Sequence, residues 1–271
     1  MTHSISIDWP AETVACVRFR DSERENQICW AAIDQLGGEL RTVRERGARV
    51  VILASALQGH WFEHAWLEDL ISGVEGRAQT GSGKGWFTVL QELAHESIIS
   101  VAAISGNSSG GGAELGWACD LRVAEEQVLF SQPEIAMALT TGIGGSSRLA
   151  RLAGRGVATD MVLTGEPVTA VRLYQVGAIS RLVGPGESLN TSIELAQGLT
   201  QKNGAALAGL KKVLEVSDDE SLSNSLSNEQ KVFQSIVASE AALSGMKRVQ
   251  RQYDLGISIA EQYGYPKQAD E

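Results

Sequence analysis

The chain has 271 residues, 43% of them hydrophobic, which suits one large domain, or a domain with an appendage, around a sizeable core. Its 23 basic and 33 acidic residues give a net charge of −10, which argues against nucleic acid or an anionic membrane as the main partner. The chain lacks a signal-peptide pattern and an 18-residue apolar run, and its three cysteines lack disulfide-scaffold or zinc spacing, so we expect a cytoplasmic protein.

Short β-rich runs alternate with helical patterns along the first two thirds of the chain. The predicted strands cover residues 13–19, 48–55, 99–105, 120–126 and 177–183. A helix is predicted over 29–47 from the helical spacing of Trp30, Ile33, Leu36 and Leu40. A second helix is predicted over 85–97 from Phe87, Leu90 and Leu93, and the chain reads as helical after about residue 190. This order predicts an α/β fold followed by a helical region.

Several motifs of cofactor-dependent enzymes are incomplete. The stretch "TGSGKGW" (80–86) is not a P-loop, because Ala78 stands at the first glycine and Gly85 at the Ser/Thr position, and we predict a mobile surface loop. The stretch "GIGGSS" (142–147) lacks the last glycine of the dinucleotide fingerprint, and there is no G-x-S-x-G elbow. The four histidines lack metal-ligand spacing, so the sequence predicts neither a metal nor a cofactor.

Three consecutive glycines precede a helical pattern in "SGGGAELGWACDL" (109–121). Gly110, Gly111 and Gly112 permit positive φ and close approach of a ligand, so a helix beginning there can aim free N–H groups at a negative oxygen. The alternative is a tight strand-to-helix turn that serves packing alone. Glu114, expected in the first helical turn, would favour the helix dipole whatever its function.

A second acid, Glu134, follows twenty residues later in "LFSQPEIAMALTTGIGGSSRLARLAG" (129–154). Together with "GNSSGGGAELGWACDLRVAEEQ" and "VLTGEPVTAVRLYQVGAISRLV", this segment resembles the crotonase superfamily, that of the enoyl-CoA hydratases and isomerases. The likeness is dense from about residue 102 to 183. It implies a spiral of ββα units over residues 1–195 and a helical region over 196–271 that builds homotrimers, often paired into hexamers.

The resemblance also implies a reaction. In this family two backbone N–H groups hold a thioester carbonyl and stabilise the enolate that develops on its oxygen. Gly111 matches one donor, and Ala65 in "WFEHAWL" (61–67) matches the other, against the family's "F-S-A-G-A-D-L". Glu114 and Glu134 match two acids that grip one water, which implies hydration of a 2-enoyl-CoA to a 3-hydroxyacyl-CoA, with the coenzyme A thioester as substrate and no further cofactor.

The chain departs from the family in the loop before the glycines. His64 stands where the family has glycine and Trp66 where it commonly has aspartate, and we assign both, with Gly142, to the substrate pocket. Arg24 and Gly110 are assigned to coenzyme A binding, although Val249 replaces the family's aromatic contact to adenine.

These departures leave two alternatives to hydration. One is a divergent enzyme of this fold: an isomerase, a decarboxylase or a carbon–carbon bond hydrolase. The other is a catalytically weak acyl-CoA-binding or scaffold protein.

Overall fold

A computed structural model describes residues 3–217 and 219–264. The chain divides into two compact units, one up to residue 204 and one from residue 205. The predicted boundary at residue 195 falls inside a helix, Ser188–Thr200, that packs on the central strands of the first unit. The first unit therefore extends past that boundary.

The strands belong to the first unit. They are β1 His3–Ala11, β2 Val14–Asp21, β3 Val50–Ser55, β4 Gly59–His60, β5 Ile99–Ile104, β6 Gly106–Ser109, β7 Leu121–Glu125, β8 Leu129–Ser131, β9 Val168–Thr169 and β10 Arg181–Val183.

The helices follow the strands in alternation and then continue alone. They are α1 Trp30–Glu45, α2 Leu67–Val74, α3 Gly85–Ala94, α4 Gly110–Ala118, α5 Ser147–Ala153, α6 Arg155–Thr164, α7 Ala170–Gln175, α8 Ser188–Thr200, α9 Gly204–Ser217, α10 Leu222–Val237, α11 Glu240–Asp254 and α12 Ile259–Tyr263, with one 3-10 helix at Pro133–Met137.

The strands form a six-stranded sheet in the order β1-β2-β3-β5-β7-β10 and a four-stranded sheet in the order β4-β6-β8-β9. Each repeat sends one strand to the large sheet, a short strand to the small sheet and then a helix: β3-β4-α2, then β5-β6-α4, then β7-β8 and the 3-10 helix. From β2 to β10 the neighbours in the large sheet pair in parallel. The predicted spiral of ββα units is confirmed.

Strands β3 and β5 are apolar and almost wholly buried because α8 packs against them. They lie where the sequence predicts them, as does the outer strand β10 that follows α7. Strand β1 is not predicted. It alternates half-buried and exposed residues and pairs only with β2, as an amphipathic edge strand does.

Helix α3 uses a different buried face from the predicted one. Trp86, Val89 and Leu93 are buried, whereas Phe87 is 63% exposed. Gly85 causes this orientation, because its α-carbon lies so close to the backbone of α1 at Ile33 that a side chain would overlap it. The predicted inward position of Phe87 is therefore wrong.

The loop that resembles a P-loop is held against α1 rather than free. The carboxylate of Asp34 accepts hydrogen bonds from the amide of Ser82 at 2.6 Å, the hydroxyl of Ser82 at 2.8 Å and the amide of Gly85 at 2.7 Å. Burial raises the pKa of Asp34, but these hydrogen bonds outweigh it and the pKa is lowered. These contacts hold the loop in place, which differs from the mobile surface loop that the sequence predicts.

The second unit consists of helices. Helices α9 and α10 approach closely at Gly209, where an added Cβ would lie 2.8 Å from Ile236, and α10 packs on α11. Large apolar side chains of this unit are exposed, among them Leu222, Leu226 and Phe233. In the part of the chain described, no helix combines the length and apolar character needed to cross a membrane.

Candidate active site

A cavity of about 330 Å³ opens at the first turn of α4. Apolar side chains from α2, α3 and the segment after the 3-10 helix form much of its wall, including Leu70, Trp86 and Leu139. Seven of the residues that the sequence assigns to the site line this cavity: His64, Ala65, Gly110, Gly111, Glu114, Glu134 and Gly142.

The three glycines form the first turn of α4 rather than preceding it, so Glu114 lies in the second turn and not, as predicted, in the first. Gly110 has a φ of +47°, and an added Cβ would lie 2.9 Å from the Cβ of His64. A Cβ on Gly112 would overlap the carbonyl oxygen of Phe62. Close packing of the 61–67 loop on the helix thus explains Gly112, and it brings Ala65 and Gly111 to one cavity.

Hydrogen bonds to the turn before α1 hold this loop. Asn26, fully buried, accepts the amide of Glu63 on its carbonyl at 3.1 Å and donates its side-chain amide to the carbonyl of Trp61 at 2.6 Å. Ile28 donates its amide to the carbonyl of His64 at 3.0 Å and accepts the amide of Trp66 at 2.9 Å. Because this bridge uses the residues on both sides of Ala65, the N–H of Ala65 points away from it.

Two backbone amides are therefore available at the cavity. Within the described residues, the N–H of Ala65 has no hydrogen-bond acceptor. Gly111 belongs to the first turn of α4, where N–H groups have no acceptor inside the helix. Both residues line the cavity, as an oxyanion hole requires.

Glu114 is 3% exposed, and its position is fixed by the segment "GIGGSS" (142–147). Its Oε1 accepts the amide of Ile143 at 2.9 Å and the amide of Gly145 at 2.7 Å. The sequence assigns only Gly142 from this segment to the site. The missed signal is that consecutive glycines expose backbone N–H groups, here turned to a carboxylate.

Glu134 stands on the 3-10 helix and is half-buried. Its Oε1 accepts a hydrogen bond from Gln132 Nε2 at 3.3 Å, whereas its Oε2 is buried without a partner among the described residues. Burial raises the pKa of Glu134 and outweighs the hydrogen bonds from its own backbone and from Gln132, which lower it; the charge of Glu114 adds a smaller rise and His64 a smaller opposing effect. The net shift favours the protonated form of this side chain, whose Oε2 has no partner among the described residues.

Gln132 is a site residue that sequence reasoning missed. It is fully buried, and its Oε1 accepts the indole N–H of Trp117 at 3.4 Å. Because an indole N–H only donates, this contact fixes which end of the amide is oxygen. The amide nitrogen is then left to donate to Glu134 and to the carbonyl of Gly110 at 3.4 Å. Its signal in the sequence is only its place two residues before Glu134.

His64 lines the cavity with a defined tautomer. Its Nδ1 lies 2.9 Å from the carbonyl oxygen of Ala65, which can only accept, so Nδ1 carries a proton. Neutral His64 therefore keeps its lone pair on Nε2.

Trp66 and Arg24 do not line the cavity. The guanidinium of Arg24 lies 5.1 Å from the ring centroid of Trp66 and 3.0 Å from Asp21.

Within the described residues, no group of three or more His, Cys, Asp or Glu side chains is placed to hold a metal ion.

The spiral of ββα units, with paired glutamates and free amides at one pocket, defines a protein of the crotonase fold. An enoyl-CoA hydratase from Bacillus anthracis superposes with a TM-score of 0.81 and 23% identity, covering 92% of this chain and 96% of that one. An enoyl-CoA hydratase from Mycobacterium marinum superposes with a TM-score of 0.78 and 25% identity, with coverages of 92% and 96%.

Sequence comparison leads to the same group. A probable mitochondrial enoyl-CoA hydratase of Arabidopsis thaliana is 31% identical over 205 residues, 75% of this chain and 67% of that protein. A probable enoyl-CoA hydratase of Rhizobium meliloti is 34% identical over 190 residues, 70% of this chain and 68% of that protein. The family model described as enoyl-CoA hydratase/isomerase matches residues 10–254. The chain belongs to the enoyl-CoA hydratase/isomerase family.

Proposed function

We propose that the protein adds water across the double bond of a 2-enoyl-CoA to give a 3-hydroxyacyl-CoA. The observation that carries this proposal is one cavity lined by Glu114, Glu134, Ala65 and Gly111. The family and the names of the relatives at 31% and 34% identity support it.

On this proposal the amides of Ala65 and Gly111 donate to the thioester carbonyl oxygen. Charge develops on that oxygen as water attacks Cβ, and removing one such donor typically costs a factor of about 10²–10³ in rate. The oxyanion hole thus contributes to the step in which the enolate forms, and not merely to substrate binding.

The two glutamates take different roles because their surroundings differ. Glu114 has Oε1 occupied by two amides, which leaves Oε2 to accept a proton from the attacking water. Glu134 has a raised pKa and lines the same cavity, so it donates its proton to Cα. The water oxygen bonds to Cβ, the enolate electrons form the Cα–H bond, and transfer of the proton from Glu114 to Glu134 resets the site.

We also propose that Arg24 contacts the phosphates of coenzyme A through a guanidinium held by Asp21. Arg24→Gln is expected to raise KM for crotonyl-CoA and to leave KM for crotonyl-pantetheine unchanged. An equal rise for both thioesters contradicts a phosphate contact.

We also propose a homotrimer, alone or paired into a hexamer, in which the exposed apolar side chains of α10 and α11 would be buried. Light scattering after gel filtration measures that mass. The cytoplasmic location stays a prediction.

The test is the loss of the 2-enoyl absorbance of crotonyl-CoA. Hydration that collapses in both Glu114→Gln and Glu134→Gln supports the proposal. Tight acyl-CoA binding without turnover supports the scaffold alternative, and no binding supports a divergent enzyme or a carrier-protein substrate.

A further inference from the structure

A chain of three polar side chains lies behind the two free amides, outside the cavity lining. Nδ1 of His60 is 3.1 Å from Oε1 of Glu63, and the hydroxyl of Ser109 donates to Oε2 of Glu63 at 2.6 Å. The oxygen of Ser109 accepts the backbone amide of His64 at 3.2 Å. We call these three residues, His60, Glu63 and Ser109, the relay.

The donors and acceptors in these contacts determine the direction of each hydrogen bond. The amide of His64 only donates, so the oxygen of Ser109 accepts and its own proton must go elsewhere. A carboxylate only accepts, and Glu63 takes that proton on one oxygen and the Nδ1–H of His60 on the other. Glu63 therefore sets the rotamer of Ser109.

Ser109 is the N-cap residue of α4, yet its side chain makes no capping hydrogen bond. A serine at this position normally accepts the N–H of the second or third helical residue, and here those residues are Gly111 and Gly112. The hydroxyl is turned instead toward Glu63 and His64. A capping serine would compete with a ligand for the amide of Gly111.

The hydrogen bond from the amide of His64 to the oxygen of Ser109 connects the two segments that carry the oxyanion donors. Ser109 lies two residues before Gly111, and His64 lies directly before Ala65. In the family segment "F-S-A-G-A-D-L", alanine stands at the position of Glu63, so the carboxylate is a feature of this chain.

We propose that Glu63 is a positioning residue for the oxyanion hole, because it turns Ser109 away from the amide of Gly111 and onto the amide of His64. This inference rests on the proposed function. Without the carboxylate, Ser109 rotates to cap Gly111, and the thioester oxygen loses a donor that was otherwise free.

The test is a double-mutant cycle in crotonyl-CoA hydration. Glu63→Ala is expected to lower kcat by about tenfold to a hundredfold, less than outright loss of a donor, with KM changed by less than about threefold. The double variant Glu63→Ala/Ser109→Ala removes the competing hydroxyl, so its kcat should exceed that of Glu63→Ala and match that of Ser109→Ala, which loses only the hydrogen bond to His64. A merely structural role of Glu63 predicts no such increase in kcat.

Glu68 provides the matched control, because it accepts the hydroxyl of Ser72 at 3.2 Å without any link to the two amides. Glu68→Ala should leave kcat unchanged. A crystal structure of Glu63→Ala should show the Ser109 hydroxyl within hydrogen-bonding distance of the Gly111 nitrogen.

An unchanged kcat in Glu63→Ala, or a double variant no faster than that single variant, overturns the inference. These outcomes differ from failure of the proposed function, in which the wild-type protein itself does not hydrate crotonyl-CoA.

Discussion

Replacing Glu134 by glutamine separates the chemistry of this side chain from its effect on stability. Glutamine has nearly the same shape, and its oxygen can still accept the hydrogen bond that Gln132 gives to Glu134 at 3.3 Å. The variant loses only the charge and the transferable proton. We therefore expect activity to fall while the folded state is kept or stabilised.

The sign follows from the pKa of Glu134, which burial and the charge of Glu114 raise. A carboxyl group with a higher pKa in the folded state destabilises that state as pH rises from the unfolded pKa through the folded one. Glutamine still places a polar group at the position of Oε2, so the gain in stability comes only from replacing a partly buried charge by a neutral amide, which costs less to bury. Glu134→Gln should raise the free energy of unfolding by about 1 kcal/mol at pH 8, or the melting temperature by about 2–4 °C.

Crotonyl-CoA hydration and urea unfolding measure the two effects. Loss of a general acid should lower kcat by about 10²–10⁴-fold. The gain in stability should vanish below about pH 4, where Glu134 of the wild type is protonated in both the folded and the unfolded state. Glu166→Gln, at an exposed position, controls for removal of one negative charge. A Glu134→Gln variant that keeps more than a tenth of the activity, or that is less stable than wild type at pH 8, refutes the reasoning.

Gly112→Ala should lower the free energy of unfolding by about 3 kcal/mol or more, because the added Cβ overlaps a backbone carbonyl. Gly38→Ala in α1, with open space at its Cβ, should raise it by about 0.5–1 kcal/mol in the same urea titration. The protonated form of His64 lowers the pKa of Glu134, so His64→Gln should move the limb on which kcat falls as Glu134 loses its proton to higher pH; an unmoved limb contradicts this coupling. The pKa of Glu92 is lowered because hydrogen bonds from two arginines of α1 outweigh the burial that raises it. Glu92→Gln should therefore lower the free energy of unfolding by about 2 kcal/mol at pH 7. This difference from wild type should shrink as the pH falls through the pKa of Glu92 in the folded state, and a difference that does not change with pH argues against this ion pair.

The central strands of the large sheet could be predicted from the sequence because they are buried and apolar. Strands β3 and β5 are continuous apolar runs, and their burial requires that pattern. The two-residue strands β4 and β9 could not be predicted, since two residues carry no periodicity and pair only because neighbouring strands bring them together. Strand β1 did carry the alternating pattern of a half-buried strand.

Some residues of the candidate site could likewise be predicted from the sequence, and others could not. Glu114 and Gly111 lie on one short helix, and the resemblance of that local segment to the crotonase superfamily predicts them without a structure. Gln132, with its bond to the indole of Trp117, and Ser109, with its bond to Glu63 across 46 positions of sequence, depend on tertiary contacts that no local pattern encodes. The candidate site residues that line the cavity could thus be predicted from the sequence, and Gln132 and Ser109 behind them could not.

The difference between the two glutamates also bears on the alternatives to hydration. Two like charges in one pocket disfavour each other, so one of two neighbouring carboxyl groups keeps its proton, but equal surroundings would not decide which of the two is the acid. Here two amides bind Glu114, while burial raises the pKa of Glu134 and leaves one of its oxygens unpartnered. A double-bond isomerisation only moves a proton between two carbons, for which one carboxyl group is enough. Addition of water requires one group to take a proton and another to give one, and the unequal surroundings of Glu114 and Glu134 favour that reaction over the isomerisation.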